Sequence, residues 1–338
     1  MTDTFQPCII VHGGAFNISE SYWKRYKEGT QSAARSGYAV LIEGGSALDA
    51  VEKAVRSLED NPVFNAGHGS VLTESGTIEM DAIIVDGRTT KTGGVTCVRD
   101  IANPVSLARK VMEETCHCLL CGEGAIKFAE SINFPILLDP SKLISNESVC
   151  KSFVVKEGTF DAHIEAYMNQ IVNAKDISDL ESTFKTIMKE NRFSQNGHDT
   201  VGAVAIDNDG NIACATSTGG MPGKKLGRVG DSPLLGCGAY ANATGGCSST
   251  GHGECLIRST ICREAVFYLE QGLSAQDAAQ KSIDRTLDMT GGRGGIILID
   301  KHGKIGKAFN TSNMAWASVS PRGVEHGLLP CELNFESL

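Results

Sequence analysis

Thr200 stands where a polar stretch gives way to an apolar run, Val201-Gly202-Ala203-Val204-Ala205-Ile206. A threonine inside a strand ordinarily expresses β-propensity and nothing more. At the boundary between loop and strand it gains a second use, because the strand can hold the hydroxyl still while the peptide before it is cut. A threonine at a chain start carries nucleophile and base in one residue. Its α-amine titrates at about 7.7–8.0 and can accept the proton of its own hydroxyl, the threonine variant of the nucleophile–base pair. Freeing that amine requires cleavage between Asp199 and Thr200. The hydroxyl can begin the step itself by attacking the Asp199 carbonyl, leaving an ester for water to hydrolyse.

Two further patterns suit amide chemistry. Ser249-Thr250-Gly251-His252-Gly253-Glu254 precedes a predicted helix, so the backbone N–H of Gly251 and the Thr250 hydroxyl are candidates for an oxyanion hole. A helix cap or a phosphate loop competes with that, and no Gly-x-x-x-x-Gly-Lys-Ser/Thr pattern supports the phosphate version. Arg228-Val229-Gly230-Asp231 places opposite charges three apart across a glycine. If they line a pocket, Arg228 suits a carboxylate and Asp231 an ammonium. If they pair with each other at the surface, they matter little. Spacing alone weighs the two evenly.

These groups need a frame. The pattern predicts a strand at Cys8–Val11 ending in His12-Gly13-Gly14, then helices at about Glu20–Ser36 and Ala47–Glu59. Strands follow within Ile78–Val98 around the turn Asp86-Gly87, then a helix opening at Asn103-Pro104, with more helix to about Ile132. Gly158 to Phe193 is polar, with a helical piece at Asp179–Glu190, and reads as a mobile connector. Two runs around Asn208-Asp209-Gly210-Asn211 predict a hairpin of Asp199–Ile206 and Ile212–Ser217. A glycine-rich span, Gly219–Gly253, leads to helices at about Glu254–Gln271 and Ala275–Thr290. A hairpin of Ile296–Asp300 and Lys304–Phe309 comes next, and Pro330–Leu338 reads as a tail. Clustered strands, clustered helices and hairpins predict antiparallel sheet with helices packed outside it rather than a run of βαβ units.

Bulk properties exclude several partners. The 338 residues carry a net charge of -9, are 41% hydrophobic and 21% charged, and show no Lys/Arg run with which to track phosphates. Nucleic acid is therefore not expected as a partner. No stretch approaches the ~18 apolar residues of a membrane span, and the start lacks a signal-peptide pattern, which predicts a cytoplasmic protein. The 12 cysteines are scattered through apolar segments such as those of Cys97, Cys214 and Cys262, and not spaced as a disulfide framework. Cys116-His117-Cys118 and Cys121 have zinc-like spacing. Helical periodicity over Ser106–Ala129 puts them on one helix, where four ligands cannot converge on a tetrahedral metal, so buried structural thiols are expected instead.

Taken together, the motifs resemble the plant-type asparaginase family (isoaspartyl peptidase/L-asparaginase) of the N-terminal nucleophile hydrolases. The matching segments run through nearly the whole chain: Val11–Ala15, Glu43–Ala50, Phe64–Gly67, Glu79–Ala82, Ile101–Pro104, Thr200–Ala205, Ala215–Gly220, Gly227–Pro233 and Thr250–Glu254. The resemblance implies an α+β fold, the αββα sandwich, as a single domain cleaved into an α chain (1–199) and a β chain (200–338), with a homodimer of such units. It implies hydrolysis of L-asparagine and of β-aspartyl dipeptides, small molecules bearing free α-groups. It makes Thr200 the nucleophile, assisted by Thr218, with Thr250 and Gly251 as the oxyanion hole. Arg228 and Asp231 would grip the α-carboxylate and α-amine, and Asn65 would position nucleophile and substrate. His12, Gly13 and Gly14 would lie near the scissile bond. No catalytic cofactor is implied, but a structural sodium ion is, on backbone carbonyls of Leu58, Glu59, Asn61, Phe64, Ala66 and His68.

Two departures stand out. His198-Asp199 precedes the nucleophile where many relatives have glycine, and this resembles the glycosylasparaginase branch. Ala15 follows Gly14 where a further glycine is common, and a stiffer loop there predicts slower self-cleavage. Glycosylasparaginase activity, on a sugar-bearing asparagine, and a non-cleaving binding protein are the competing expectations.

Overall fold

The computed structural model describes residues 6–152 and 199–338. The connector expected at Gly158–Phe193 lies outside the described residues. The chain opens with β1 (Cys8–Phe16), α1 (Glu20–Ile42) and α2 (Ala47–Glu59). Next come β2 (Met80–Asp86), β3 (Thr92–Val98), α3 (Pro104–Glu114), β4 (Leu119–Cys121), α4 (Gly122–Ser131) and α5 (Asn146–Ser152). Beyond residue 199 follow β5 (Val201–Ile206), β6 (Ile212–Thr218), β7 (Ala239–Asn242) and β8 (Gly245–Gly251). Three helices succeed them: α6 (Gly253–Ser259), α7 (Ile261–Glu270) and α8 (Ala275–Thr290). The last strands are β9 (Gly294–Asp300), β10 (Ile305–Phe309), β11 (Asn313–Ser320), β12 (Gly323–Gly327) and β13 (Asn334–Glu336).

Local chemistry explains the best-defined helices. Ser46 and Asp49 form a reciprocal capping box at the start of α2, which satisfies two N–H groups that a helix start leaves unpaired. Ala47, Ala50, Val51, Ala54, Val55 and Leu58 then recur at helical spacing and are buried, so one face of α2 packs inward. Pro104 at the first turn fixes the start of α3. Ser274 caps α8 at one end and Gly291, at φ +70°, closes it in the left-handed region.

Among the described residues the strands assemble into two sheets. One has nine strands in the order β13-β12-β11-β1-β5-β6-β2-β3-β4, and the other has four, β10-β9-β8-β7. Three apolar clusters separate four layers. Leu41, Val51 and Leu58 of α1 and α2 pack on Ile9, Val11 and Ala203 of the larger sheet. Ile10, Val204, Ile297 and Trp316 join the two sheets face to face. Leu256, Val266 and Ile283 cover the outer side of the smaller sheet. This is a helix–sheet–sheet–helix sandwich, as expected. Among the described residues no helix is long and apolar enough to cross a membrane.

Several expectations need correction. α1 runs on to Ile42 past Gly37, because Gly37 lets the helix approach its neighbours: a Cβ there would lie 2.8 Å from the Ala50 carbonyl oxygen. The continuous helix expected through Ser106–Ala129 is broken. Thr115 turns extended after α3, and β4 pairs with β3 in parallel, the one parallel strand pairing among the described residues. Cys116, Cys118 and Cys121 are consequently exposed rather than buried on a helix. No group of three or more His, Cys, Asp or Glu side chains among the described residues could hold a metal. The glycine-rich span holds β7 and β8, and every residue of β8 is buried. Lastly, the C-terminal tail contributes β13, paired to β12, and Glu336 forms an ion pair with Arg35 at 2.9 Å.

Candidate active site

β5 and β6 carry the central groups, and β1 supports them. His12 on β1 faces Gly202 on β5. Its Nδ1–H donates to the Thr200 carbonyl at 2.9 Å, while Nε2 accepts from Ser248 at 2.8 Å. Ser248 in turn contacts the Thr216 hydroxyl at 2.8 Å. Burial pushes the His12 pKa down to about 3, so the ring stays neutral and keeps this donor–acceptor order. Gly202 has to be small, since a Cβ would lie 2.0 Å from Ser248 Oγ and 2.5 Å from His12 Nε2.

The Asp199 carbonyl, on the peptide before Thr200, is tightly held. The Asp199 carbonyl accepts from Asn65 Nδ2 at 3.0 Å and from Thr218 Oγ1 at 3.0 Å. Thr200 Oγ1 lies 3.4 Å from Thr218 Oγ1. A hydroxyl thus adjoins a carbonyl already polarised by two donors, the electrostatic arrangement that eases addition to an acyl group. Asn65 is fixed in its turn: Nδ2 also donates to the Gly220 carbonyl at 2.7 Å, and Oδ1 accepts from Val71 N at 2.9 Å.

The Asp199 side chain is buried beside Gly14, which sits at a bulge of β1 and not beyond the strand's end, where the sequence pattern predicts it. Tyr26 donates to its Oδ2 at 2.9 Å, and Oδ1 has no hydrogen-bond partner among the described residues. Burial pushes this carboxyl up to about 7, against the pull of Lys151 and of the Tyr26 hydrogen bond. Gly14, at φ +107°, cannot be replaced without a collision, because a Cβ would sit 1.7 Å from Asp199 Oδ1.

Arg228 and Asp231 do not pair with each other as a surface couple. Arg228 makes a two-pronged ion pair with Glu254, at 3.0 and 2.9 Å. Asp231 is buried and accepts from Ser249 Oγ at 3.2 Å. Burial pushes its carboxyl up to about 7, and Arg228 pulls it back down. Both charged ends press on Gly253, where a Cβ would lie 2.8 Å from Arg228 Nη2 and 3.1 Å from Asp231 Oδ1. The loop from Gly219 to Arg228 is anchored underneath by Lys224, buried, whose Nζ donates to the Glu79 carbonyl at 2.7 Å.

Asp199, Thr200, Thr218, Arg228, Asp231 and Gly251 line a single cleft. Its free room is about 10 Å³, roughly the space of one water. With Asp199 in place there is no room for an amino acid. Gly251 ends β8 at φ +142°, and a Cβ would lie 2.5 Å from Gly294 Cα, so only glycine serves there. Thr250 is not among the residues that line the cleft, and its hydroxyl accepts from Ala15 N at 3.3 Å.

The loop implied as a sodium site presents oxygen donors. The carbonyls of Leu58, Asn61 and Ala66 each accept one backbone N–H, which leaves a lone pair on each. Lys151 Nζ donates to the carbonyls of Pro62, Val63 and Phe64 at 3.1, 3.3 and 2.7 Å. Of the implied ligands, the Phe64 carbonyl is thus already engaged by an ammonium, while those of Leu58, Asn61 and Ala66 keep a lone pair that fits a hard cation.

Tyr26, Ser248 and Lys151 enter the site without a motif to announce them. Each comes from a distant element and shows only ordinary spacing in the sequence. Glu254, which orients Arg228, stands within a segment the sequence does single out.

Comparison with known proteins identifies the family. Residues 5–328 match the family described as Asparaginase. The isoaspartyl peptidase/L-asparaginase of Xenopus laevis is 42% identical over 334 residues, which cover 98% of this chain and 98% of that protein. That of Mus musculus is 43% identical over 332 residues, covering 98% and 93%. The plant-type L-asparaginase of Pyrococcus horikoshii is 41% identical over 311 residues, covering 91% and 95%. The chain belongs to the asparaginase family and is an amidohydrolase of that family.

Proposed function

We propose that this protein cuts its own chain before Thr200 and then hydrolyses the β-amide of L-asparagine and of β-aspartyl dipeptides. The supporting observation is the Asp199 carbonyl, gripped by Asn65 and Thr218 beside the Thr200 hydroxyl. In the first reaction Thr200 Oγ adds to the Asp199 carbonyl carbon, the C–N bond breaks and the amine leaves as the new N-terminus. Water then hydrolyses the ester, giving an α chain ending at Asp199 and a β chain beginning at Thr200.

Departure of Asp199 vacates the cleft. Arg228 and Asp231 then face a free substrate α-carboxylate and α-amine, and the Thr200 amine takes the proton as its hydroxyl attacks the side-chain amide. Ammonia leaves from asparagine, or an amino acid from a dipeptide, and water releases aspartate. Gly251 N–H, with the Thr250 hydroxyl once it turns inward, steadies the oxyanion. A sodium ion on the carbonyls of Leu58, Glu59, Asn61, Phe64, Ala66 and His68 would brace the loop that carries Asn65 and supply charge, not a reacting group. A dimer of two-chain units acting in the cytoplasm completes the proposal.

The relatives' names favour asparagine and isoaspartyl substrates over sugar-bearing asparagine. Comparing hydrolysis of L-asparagine, a β-aspartyl dipeptide and a glycosylated asparagine tests this. Turnover of the third alone would overturn it. A chain that stays uncut and inert on all three would instead make it a binding protein.

Two outcomes follow from the charged groups. Arg228→Ala should cut itself normally yet lose about 10-fold or more in kcat/KM on asparagine, because a charge-assisted partner of the carboxylate is gone. Normal turnover by this variant would remove Arg228 from the pocket. Self-cleavage should accelerate as pH rises through about 7. With the pKa raised, the Asp199 carboxyl is neutral below that point and becomes a proton acceptor beside Thr200 only above it. Asp199→Asn should be slow and lack that inflection. A wild-type rate that stays flat across ~pH 5–9 would dismiss the carboxyl as a participant.

A further inference from the structure

A pocket of about 420 Å³ adjoins the cleft. Its lining includes Phe16, His252, Cys255 and Arg293. The two spaces share a backbone wall. Gly251 lines the cleft and its neighbour His252 lines the pocket. His252 N donates to the Arg293 carbonyl at 3.2 Å, and a Cβ on Gly251 would lie 2.6 Å from that same oxygen. Ala15, another lining residue, donates its N–H to Thr250.

Arg293 is exposed. Among the described residues its guanidinium has no ion pair or hydrogen bond, in contrast to Arg228, Arg263 and Arg285. Phe16 and Cys255 offer apolar surface beside it. An unpaired cation at the edge of a half-apolar space suits a carboxylate attached to a side chain.

We propose that this pocket is the leaving-group subsite, and that Arg293 receives the α-carboxylate of the amino acid released from a β-aspartyl dipeptide. The inference rests on the hydrolase reading above. An acyl carbon bonded to Thr200, with its oxygen turned to Gly251, must expel its leaving group within a few bonds of this wall. The leaving nitrogen of a dipeptide carries its carboxylate two bonds away. Asparagine releases ammonia, which has nothing to place in the pocket. Arg293 therefore separates the two substrate classes while Arg228 serves both.

The test compares three substrates, with self-cleavage of every protein checked first on a denaturing gel. They are a β-aspartyl dipeptide with a free C-terminal carboxylate, the same dipeptide as its C-terminal amide, and L-asparagine. Wild-type enzyme should prefer the free acid to the amide by about tenfold in kcat/KM, the effect of one charge-assisted contact at a half-open site. Arg293→Ala should abolish that preference by slowing the acid alone, leaving asparagine hydrolysis as it was. Arg293→Lys should restore part of it. An acid-to-amide ratio unchanged by Arg293→Ala overturns the subsite. So does an equal loss on asparagine, which would mean that Arg293 merely holds the His252 backbone. No turnover of any substrate by cut wild-type enzyme is a different result: it overturns the hydrolase reading, and the subsite with it.

Discussion

Thr200→Ala should run as one full-length band on a denaturing gel after long incubation at neutral pH, and should release no ammonia from asparagine. Two activities vanish together because one atom serves both. On the proposed mechanism Oγ of Thr200 would attack the Asp199 carbonyl during self-cleavage and the substrate amide afterwards, so no partial phenotype is available. Removing a covalent nucleophile costs on the order of 10⁶-fold in kcat where it has been measured. The fold should survive, since Thr200 Oγ makes one long hydrogen bond, 3.4 Å to Thr218, and alanine fits the same space. Thr200→Ser keeps the oxygen and should keep both reactions. Two fragments accumulating from Thr200→Ala at the wild-type rate would show that the bond is cut by something else.

Asn65→Ala should slow self-cleavage by about 10²–10³-fold, the usual loss when one donor to a developing oxyanion is removed. The Asp199 carbonyl would retain only the Thr218 hydroxyl. This substitution also leaves buried groups unpaired, namely the Gly220 carbonyl and Val71 N–H. A stability loss of ~1–3 kcal/mol should accompany it. The two effects separate by experiment: the cleavage rate is measured at fixed temperature well below the transition, and the midpoint by thermal melting. A variant that is less stable but cuts at the normal rate would leave Asn65 as a support of the loop and no more.

What could be read from the sequence depended on how local its cause was. α2 is visible because Ser46, Asp49 and a regular apolar stripe lie within one segment. The hairpin of β5 and β6 is visible because its turn, Asp209-Gly210, sits between two apolar runs. β8 is hidden for the opposite reason. Gly245 and Gly246 look like loop, yet they are glycine so that Leu269 and Ile212 can press against the strand: Cβ atoms there would lie 2.3 and 2.7 Å from those side chains. The break after Glu114 is equally hidden, because β4 exists through its pairing with β3, and a helix and an edge strand share the same short apolar run.

Within the site the same distinction holds. Arg228 and Asp231 advertise themselves by residue type next to glycine, Gly251 by standing just before a helix, and Thr200 by its place between a polar stretch and an apolar run. Tyr26 does not, because a tyrosine on a helix is ordinarily core, and its contact with Asp199 spans 173 positions. The relation of Arg228 to Asp231 is also a tertiary matter. Three residues apart in sequence, they are kept from pairing by Glu254, which engages the guanidinium from beyond β8.

The order of the larger sheet decides what a cut before Thr200 does to the molecule. β1 lies between β11 and β5, and β2 lies against β6, so strands from the two sides of residue 200 are interleaved like fingers of clasped hands. Severing the backbone there unlinks nothing that the ladders hold. The two pieces would remain one cooperative body, inseparable short of unfolding, with the new end at Thr200 moored by the pairing of β5 with β1 and β6.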